Sequence, residues 1–485
     1  MSESLEDLKP KYLWKHFAEF LKIPHCSGNE KALGDYIISV AENLGLEWKR
    51  DDVGNVVISK PGSPGHEDAQ GVILQGHLDM VCEKNSDVDH DFTKDSIKAH
   101  IDDNWVKAEG TTLGADNAIG CCAGLAIMED DSLIHPPLEC LFTVDEETGL
   151  TGATKLQPGF LQGRILLNLD SEDEGEFTIG CAGGADTQIS LQLSRKETTD
   201  EDLYKIKLSG FRGGHSGIDI NQGRGNAIKL LARILWQVLQ NTHFQLVAFE
   251  GGNLRNAIPR EAWAYVVLDS ANKDAFVSQA QEAFEKIKAE YKAIETSPEI
   301  SIEATDESKK APLTAQIQKS LIDLLLTLPH GVIAMHPEID GLVETSNNVA
   351  VIRTHDDKTE TICSTRSSVA SALEAARNTL SALGEMVNAE VKLEDGYPGW
   401  TPNLQSPVLK TLKDIYQKTF SAEPEVAAVH AGLECGIIGE KFPGMDMISF
   451  GPTIQHPHSP DERVDIGSVE KFWTFLTTIL ATLAQ

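Results

Sequence analysis

The sequence predicts an α/β fold with a mainly parallel sheet, interrupted by an inserted α+β domain. Three observations indicate this arrangement. Short runs rich in Val, Ile and Leu alternate with helical patterns up to residue 185. The pattern changes over 186–395, and it returns to the first type over 396–485. Strands that alternate with helices are typical of a sheet covered by helices.

The first 185 residues contain the elements of such a sheet. Apolar residues at helical spacing predict helices over 12–21 and 31–44. Residues 116–130 are rich in small residues and predict a buried helix that Asp116 can cap. Short apolar runs suit buried strands, and they lie at 53–59, 71–75, 137–144 and 164–169.

The middle block contains two successive rounds of strands and helices, each similar to a ferredoxin-like unit. The first round is predicted as strand 203–211, helix 226–241, strands 244–250 and 261–269, helix 273–294 and strand 298–304. The second is predicted as helix 314–327, strands 343–354 and 358–367, helix 369–386 and strand 389–395. Helix 407–419, strand 445–450 and helix 466–483 then complete the first domain.

Composition excludes several classes of partner. The 485 residues include 42 Lys and Arg against 74 Asp and Glu, which gives a formal net charge of -32. Such an acidic surface repels phosphate backbones and anionic lipids, so we expect neither nucleic acid nor membrane as a partner. The sequence lacks a secretory-type leader and any apolar run of about 18 residues, which predicts a cytoplasmic protein.

The cysteines do not indicate a sulfur site. No CxxC pair occurs, and several cysteines lie within apolar runs, which argues against both a thiolate zinc site and a disulfide framework. Any metal ligands would therefore come from His, Asp and Glu. The eight cysteines are Cys26, Cys82, Cys121, Cys122, Cys140, Cys181, Cys363 and Cys435.

Polar side chains follow four of the predicted buried strands, where an α/β sheet binds its ligands. Each is ambiguous alone: Asp116 would serve as a helix cap, and the others would fit charged loops. Together they suit zinc, manganese or cobalt, and neighbouring carboxylates can divide between metal binding and general-base catalysis. These side chains are His77 and Asp79, Asp145 to Glu147, Asp170, and His456 and His458, with Asp116 as a fifth candidate.

The order of short motifs resembles the dinuclear zinc peptidase family that includes glutamate carboxypeptidase, tripeptidase T and aminoacylase. These motifs are HLDMV, TLGADN, DEETG, NLDSEDEG and GPTIQHPHSPDE, together with IPHCSGNE, GGHSG, NLRNAIPRE, ETSNN and HAGLEC. The likeness runs over almost the whole chain and is closest to dipeptidases that cleave aminoacyl-histidine. Cys82 departs from it, because many members have Pro at that position.

The resemblance implies a role for each candidate in the first domain. His77, Asp116 and Asp170 would hold one metal ion, while Asp116, Glu147 and His458 would hold the other. Glu146 would be the general base, and Asp79 would orient His77. The peptide after Asp116 would be cis. The two divalent ions would be zinc, with manganese or cobalt as alternatives.

The family's inserted domain is a lid that also forms a homodimer. By resemblance, His215 would stabilise the tetrahedral oxyanion, often in the partner subunit's active site. Asn256 and Arg366 are candidates for binding the terminal carboxylate of the substrate, because Arg presents a planar fork that matches it. Gly432 would line the same pocket through its backbone.

The resulting hypothesis is a dipeptidase that activates a water between two metal ions and takes dipeptides with a free C-terminal carboxylate, including Xaa-His. Two alternatives stay open. One is an N-acyl amino acid deacylase or carboxypeptidase on the same scaffold, since metal-binding motifs do not read the substrate side chain. The other is a metal-binding interaction protein without catalysis.

Overall fold

The computed structural model describes residues 4–197, 202–307 and 310–485. The chain forms two compact units. The first comprises the chain up to Cys181 with Trp400–Ala428 and Leu433–Gln485, and the second comprises Ala182–Gly399 with Val429–Gly432. Across the described ranges, none of the helices has the length and apolar character needed to cross a membrane.

Helices occur in both units, with single 3-10 turns at Leu5–Asp7 and Ile220–Gln222. The helices are α1 (Lys11–Phe20), α2 (Lys31–Leu44), α3 (Ala115–Glu129), α4 (Glu146–Gly149), α5 (Thr151–Lys155), α6 (Ala227–Leu239), α7 (Lys273–Tyr291), α8 (Ala315–Thr327), α9 (Ala370–Met386), α10 (Pro407–Phe420), α11 (Glu434–Lys441) and α12 (Ile466–Leu483).

The strands are β1 (Glu47–Arg50), β2 (Val56–Lys60), β3 (Val72–His77), β4 (Ala99–Asp102), β5 (Trp105–Ala108), β6 (Leu138–Thr143), β7 (Ile165–Asn168), β8 (Glu176–Cys181), β9 (Gly183–Gln192), β10 (Asp202–Ser209), β11 (Gly214–His215), β12 (Gln245–Gly251), β13 (Ala257–Ile258), β14 (Ala262–Leu268), β15 (Glu299–Ala304), β16 (Gly331–Met335), β17 (Val343–Thr354), β18 (Lys358–Ser367), β19 (Glu390–Tyr397), β20 (Glu425–Val429), β21 (Asp446–Ser449), β22 (Ile454–Gln455) and β23 (Arg463–Asp465).

The first unit is built on an eight-stranded sheet in the order β1-β2-β6-β3-β7-β21-β8-β20. Its four central strands, β6, β3, β7 and β21, are parallel, while β1, β2 and β8 pair antiparallel to their neighbours. Every residue of β3, β6 and β7 is buried, which explains their nearly continuous apolar sequences. A separate antiparallel sheet has the order β22-β23-β5-β4.

The core of the first unit packs helices against this sheet. Helix α3 is buried along almost its whole length and contributes small residues, so that α1 and β3 can approach it closely. Aromatic rings fill another part of the core, where Phe177 stacks on Phe475 with ring centroids 5.3 Å apart. This packing gives the strand ends a rigid base.

The second unit has a nine-stranded antiparallel sheet in the order β15-β10-β14-β12-β17-β18-β9-β19, with β16 paired to β17. Its core includes buried side chains of α6, α7, α8 and α9. The sheet divides into two halves, β15-β10-β14-β12 and β19-β9-β18-β17. If the four strands of each half are numbered along the chain, with β9 as the first of the second half, both halves have the order fourth, first, third, second. The sequence interpretation began that half at α8, because β9 lies before the first round in the chain.

The predicted α/β class is confirmed, with the parallel arrangement restricted to the centre of the sheet. The expectation that Asp116 caps a helix is wrong: Gly114 occupies the cap position, and both Asp116 and Asn117 have non-helical dihedral angles within α3. The Asp116–Asn117 peptide is cis, as the resemblance implied.

Candidate active site

Polar residues that follow the four parallel central strands lie at one edge of the first sheet. His77 is the last residue of β3, Glu146 and Glu147 begin α4 directly beyond β6, and Asp170 follows β7. His458 lies in the loop beyond β22. The carboxyl ends of parallel strands meet at the same edge, so residues distant in sequence converge there.

Asp116 lies between two histidines. Its Oδ1 atom is 3.1 Å from His77 Nε2, and its Oδ2 atom is 3.2 Å from His458 Nε2. Each carboxylate oxygen therefore faces a different imidazole. The non-helical backbone at Asp116 turns its side chain out of the regular path of α3 and into this position.

Two groups of potential metal ligands share Asp116. His77, Asp116 and Asp170 form one, and Asp116, Glu147 and His458 form the other; within each, one ligand atom per residue lies within 4.8 Å of the others. His77 Nε2 is 3.3 Å from Asp170 Oδ1, and His458 Nε2 is 2.9 Å from Glu147 Oε1. The five side chains predicted as metal ligands are thus brought together.

This donor set fits divalent ions. Apart from these contacts with the rings of His77 and His458, Asp170 Oδ1 and Glu147 Oε1 are buried and accept no hydrogen bond from the described part of the chain. Buried carboxylate oxygens without a donor are costly unless a cation balances them. Imidazole and carboxylate ligands without sulfur suit zinc, manganese or cobalt.

Backbone contacts hold His77 in the tautomer that a ligand needs. Its Nδ1–H donates to the backbone oxygen of Asp79 at 2.9 Å, which leaves the Nε2 lone pair facing Asp116 and Asp170. The carboxylate of Asp79 lies 3.5 Å from His77 Nδ1. Asp79 thus contacts His77 through its main chain more closely than through its side chain.

The Asp79 carboxylate also holds the turn that carries the two glutamates. It accepts hydrogen bonds from the backbone N–H of Glu146 at 2.9 Å and of Glu147 at 3.1 Å, and from Ser27 Oγ at 2.8 Å. Burial acts to raise the pKa of Asp79, but the His77 ring and these hydrogen bonds lower it to about 2.

Electrostatics in the site favour a positive charge. Burial raises the pKa of Glu146 well above its ordinary value, and the nearby Asp170, Glu434 and Glu147 carboxylates raise it further. Hydrogen bonds with Asp116 and Glu147 raise the pKa of His458 to about 11. A carboxyl with a raised pKa is suited to exchanging a proton near neutral pH.

Three further carboxylates lie around this site, and the sequence interpretation gave them no role. Glu434 is buried and accepts hydrogen bonds from Gln75 and Thr143. Burial, then the proximity of Asp116 and Asp170, raises the pKa of Glu172 to about 8. Glu462 contacts the backbone at the start of α3. Glu434, Glu172 and Glu462 lie within the motifs HAGLEC, NLDSEDEG and HSPDE, respectively. These motifs were the only sequence signal that pointed to the three carboxylates.

The four predicted substrate-binding residues belong to the second unit. His215 pairs with Ala257 between β11 and β13. Asn256 immediately precedes Ala257, so it lies next to His215 in the register of this strand pair. The Nδ1 atom of His215 accepts the backbone N–H groups of Gly217 and Ile218 at 3.2 and 3.1 Å. The ring proton is therefore on Nε2, which makes this atom a hydrogen-bond donor.

Arg366 is buried in β18 and donates from Nη1 to the Tyr397 phenol oxygen at 2.8 Å. Two glycines make room for that ring: a Cβ on Gly184 would lie 2.7 Å from Tyr397 Oη, and one on Gly432 would lie 2.8 Å from Cε2. Burial first, and the Arg366 charge next, lower the pKa of His430 to about 4. Tyr397 and His430 were not predicted.

A disulfide joins Cys26 and Cys82, whose Cα atoms are 5.7 Å apart. The expectation of no disulfide is therefore wrong for this pair, while the other six cysteines are free and buried. The two half-cystines are separated by 56 residues, and an isolated β-bridge between Cys26 and Met80 brings their segments together. Sequence spacing alone could not reveal this tertiary contact.

Known proteins resemble the chain over its full length. Residues 73–482 match the model of peptidase family M20/M25/M40. The chain is 44% identical over 481 residues to the cytosol non-specific dipeptidase of Escherichia coli (strain K12), with 99% of each chain covered.

Solved structures give the same result. The aminoacylhistidine dipeptidase from Vibrio alginolyticus matches with a TM-score of 0.93 and 42% identity, covering 99% of this chain and 98% of that one. The aminopeptidase PepT from Bacillus cereus matches with a TM-score of 0.59 at 15% identity, covering 99% of this chain and 100% of that one. The second match concerns the fold alone.

Proposed function

The chain belongs to peptidase family M20/M25/M40, and from this premise we propose that it is a metal-dependent dipeptidase. Two relatives, a non-specific dipeptidase and an aminoacylhistidine dipeptidase, support dipeptides as the substrate class. Xaa-His dipeptides are among the proposed substrates.

One observation carries the proposal: the two oxygens of Asp116 face His77 and His458 separately, 3.1 and 3.2 Å from their Nε2 atoms. A carboxylate in this position can bridge two cations, one beside Asp170 and the other beside Glu147. We propose two divalent ions, zinc first, with manganese or cobalt as alternatives. Bound there, they would polarise the scissile carbonyl and acidify a water.

The chain's own residues would then carry the protons. Glu146, in its carboxylate form, would accept a proton from the attacking water, and it would later deliver that proton to the leaving amine. Asp79 would fix the Glu146 backbone. This assignment is supported by the hydrogen bond that joins the Glu146 N–H to Asp79 and by the raised pKa of Glu146.

The second unit would supply substrate-binding groups. We propose that Arg366 and Asn256 bind the terminal carboxylate, that Gly432 lines this pocket, and that His215 donates from Nε2 to the tetrahedral oxyanion. The buried guanidinium of Arg366 supports a carboxylate as the bound group, because a planar fork can bind it with two hydrogen bonds.

Other parts of the proposal concern the protein as a whole. We propose that the second unit is a lid and dimerisation domain inserted in a catalytic domain. The sequence predicted this domain over 186–395, between 1–185 and 396–485, while the second unit comprises Ala182–Gly399 with Val429–Gly432. We also propose a homodimer. We propose a cytoplasmic location as well, which is supported by the name of the Escherichia coli relative, a cytosol dipeptidase.

A substrate panel with metal analysis tests the function. Purified protein is assayed on unblocked dipeptides that include Xaa-His, on tripeptides and on N-acyl amino acids, with and without chelator. Chelator-sensitive cleavage of dipeptides supports the proposal. Preference for N-acyl amino acids or longer peptides would indicate a deacylase or carboxypeptidase, and two bound metal ions without any hydrolysis would indicate an interaction protein.

A further inference from the structure

Glu462 is a buried carboxylate that connects two segments of the candidate metal site. Only 2% of its surface is exposed. It lies four residues after His458 in the loop that precedes β23. Its carboxylate does not face the ligand atoms of that loop but reaches the start of α3, where Asp116 lies.

Among the described residues, the hydrogen bonds to the Glu462 carboxylate all come from backbone amides in one stretch of chain. Its Oε2 atom accepts the N–H groups of Leu113 at 2.7 Å and Gly114 at 2.9 Å. Its Oε1 atom accepts those of Ala115 at 2.7 Å and Asp116 at 3.3 Å. Glu462 forms no ion pair with Lys or Arg in the described part of the chain, so these amides are the partners that satisfy its carboxylate oxygens.

This arrangement fixes the entry to α3. The first amides of a helix lack intrahelical partners, and a carboxylate next to them is stabilised by the positive end of the helix dipole. Here the residues that need fixing include Asp116, whose backbone leaves the helical path. The Glu462 side chain, which extends from the loop of His458, therefore holds the backbone of Asp116 in place.

We infer that Glu462 is a positioning residue that holds Asp116 and His458 at the distance needed to bind metal. The inference rests on the proposed metal centre. Glu462 touches neither substrate nor metal in this role; it acts through the backbone of one ligand and the loop of another. Partners that orient metal ligands in this way typically contribute roughly 10- to 100-fold in metal affinity.

Metal binding tests the role directly. Zinc is titrated into metal-free protein, and the two equivalents are measured by competition with a chelating dye, for the natural chain and for Glu462→Gln. We expect Glu462→Gln to bind at least one equivalent roughly 10- to 100-fold more weakly. Glu462→Asp, which keeps the charge on a shorter side chain, should recover part of this loss.

Two controls separate positioning from general stability. Glu139→Gln removes another buried carboxylate of the first unit that accepts two backbone amides, those of Gln162 and Gly163, at 2.7 and 2.8 Å. Asp461→Asn removes the same charge from the exposed neighbour in the loop. Both should keep natural zinc affinity, and thermal unfolding in chelator should show Glu139→Gln to be destabilised like Glu462→Gln.

Coupling to His458 gives a further readout. If Glu462 acts through that loop, adding Glu462→Gln to His458→Ala should weaken zinc binding less than it does in the natural chain. Unchanged zinc affinity in Glu462→Gln would overturn the inference, as would an equal loss in Glu139→Gln. If the natural chain itself binds no zinc, the proposed metal centre fails instead. If Glu462→Gln does not fold, the same comparison is made with Glu462→Asp.

Discussion

The carboxylate of Asp79 accepts a hydrogen bond from the backbone N–H of Glu146 at 2.9 Å. This bond links the end of β3 to the turn after β6, so the segment that carries His77 also fixes the candidate general base. The two glutamates of that turn can then take different tasks, with Glu147 directed to His458 and Glu146 left for proton transfer.

The first prediction concerns Glu146. Glu146→Gln should retain two bound metal ions, because Glu146 belongs to neither of the two ligand groups that share Asp116. Its kcat on a dipeptide should fall by about 100- to 10,000-fold, the usual contribution of a general base. Metal analysis and steady-state kinetics measure both.

Glu174→Gln, which removes a carboxylate paired with Lys471, is the control and should remain active. Full activity of Glu146→Gln would remove the assignment.

The second prediction concerns metal removal. Dialysis against chelator should abolish activity and lower the thermal midpoint, because ions bound only to the folded state stabilise it. At a free metal concentration 100 times the dissociation constant, the loss is about 2.7 kcal/mol for each ion. Far-ultraviolet circular dichroism should still show a folded chain. Adding back zinc, manganese or cobalt separately should restore activity and identify the preferred ion. Activity that survives complete removal would contradict a metal-dependent reaction.

The third prediction concerns Tyr397. Tyr397→Phe removes the oxygen that Arg366 Nη1 contacts, while the ring still fits between Gly184 and Gly432. A hydrogen bond to a charged group is worth about 1.5–3 kcal/mol, so KM for a dipeptide should rise by roughly tenfold or more with little change in kcat. The corresponding C-terminal amide should show a much smaller change. Tyr265→Phe, whose phenol donates to Glu307 in the same unit, should leave KM unaltered.

Much of the first unit could be predicted because its signals are local. The apolar runs of β3, β6 and β7 follow from complete burial, and α12 spans the predicted 466–483 because its apolar face repeats at helical spacing. The candidate metal residues could be identified because parallel strands bring their carboxyl ends to one edge.

The rest depends on tertiary contacts that no local pattern records. The partners of Glu462 lie about 350 positions earlier in the chain. The Cys26–Cys82 pair forms where an isolated β-bridge joins Cys26 to Met80, 54 residues away. Strands β4 and β5 were not predicted, since they are short and only partly buried. The position of β9 in its sheet could not be predicted, because β9 pairs with strands much later in the chain, in a sheet that spans both halves of the second unit.

The fourth prediction concerns pH. Burial lowers the pKa of His430 from 6.5 to about 4, so the folded state binds this proton less readily than the unfolded chain. The stability that His430 contributes is therefore fully present above pH 6.5 and is lost as pH falls toward 4.

Comparison with a variant isolates this effect. Each pH unit in that interval should cost about 1.4 kcal/mol, so the natural chain should lose about 2 kcal/mol more than His430→Gln between pH 7 and pH 5. Urea unfolding of the two proteins at several pH values measures the difference. Parallel stability curves would show that His430 takes up its proton equally in both states.

The last prediction concerns the disulfide. Cys26 and Cys82 close a loop with a sequence separation of 56, and cross-linking a loop of this size removes enough entropy from the unfolded chain to stabilise the protein by about 4 kcal/mol. A dithiol reductant should lower the urea midpoint of the natural chain but not that of the Cys26→Ser, Cys82→Ser double variant. Thiol labelling of the folded protein gives an independent readout, because the six free cysteines are buried. Maleimide should react with neither half-cystine before reduction and with both after it, and labelling of the pair in unreduced protein would show that the bond does not form.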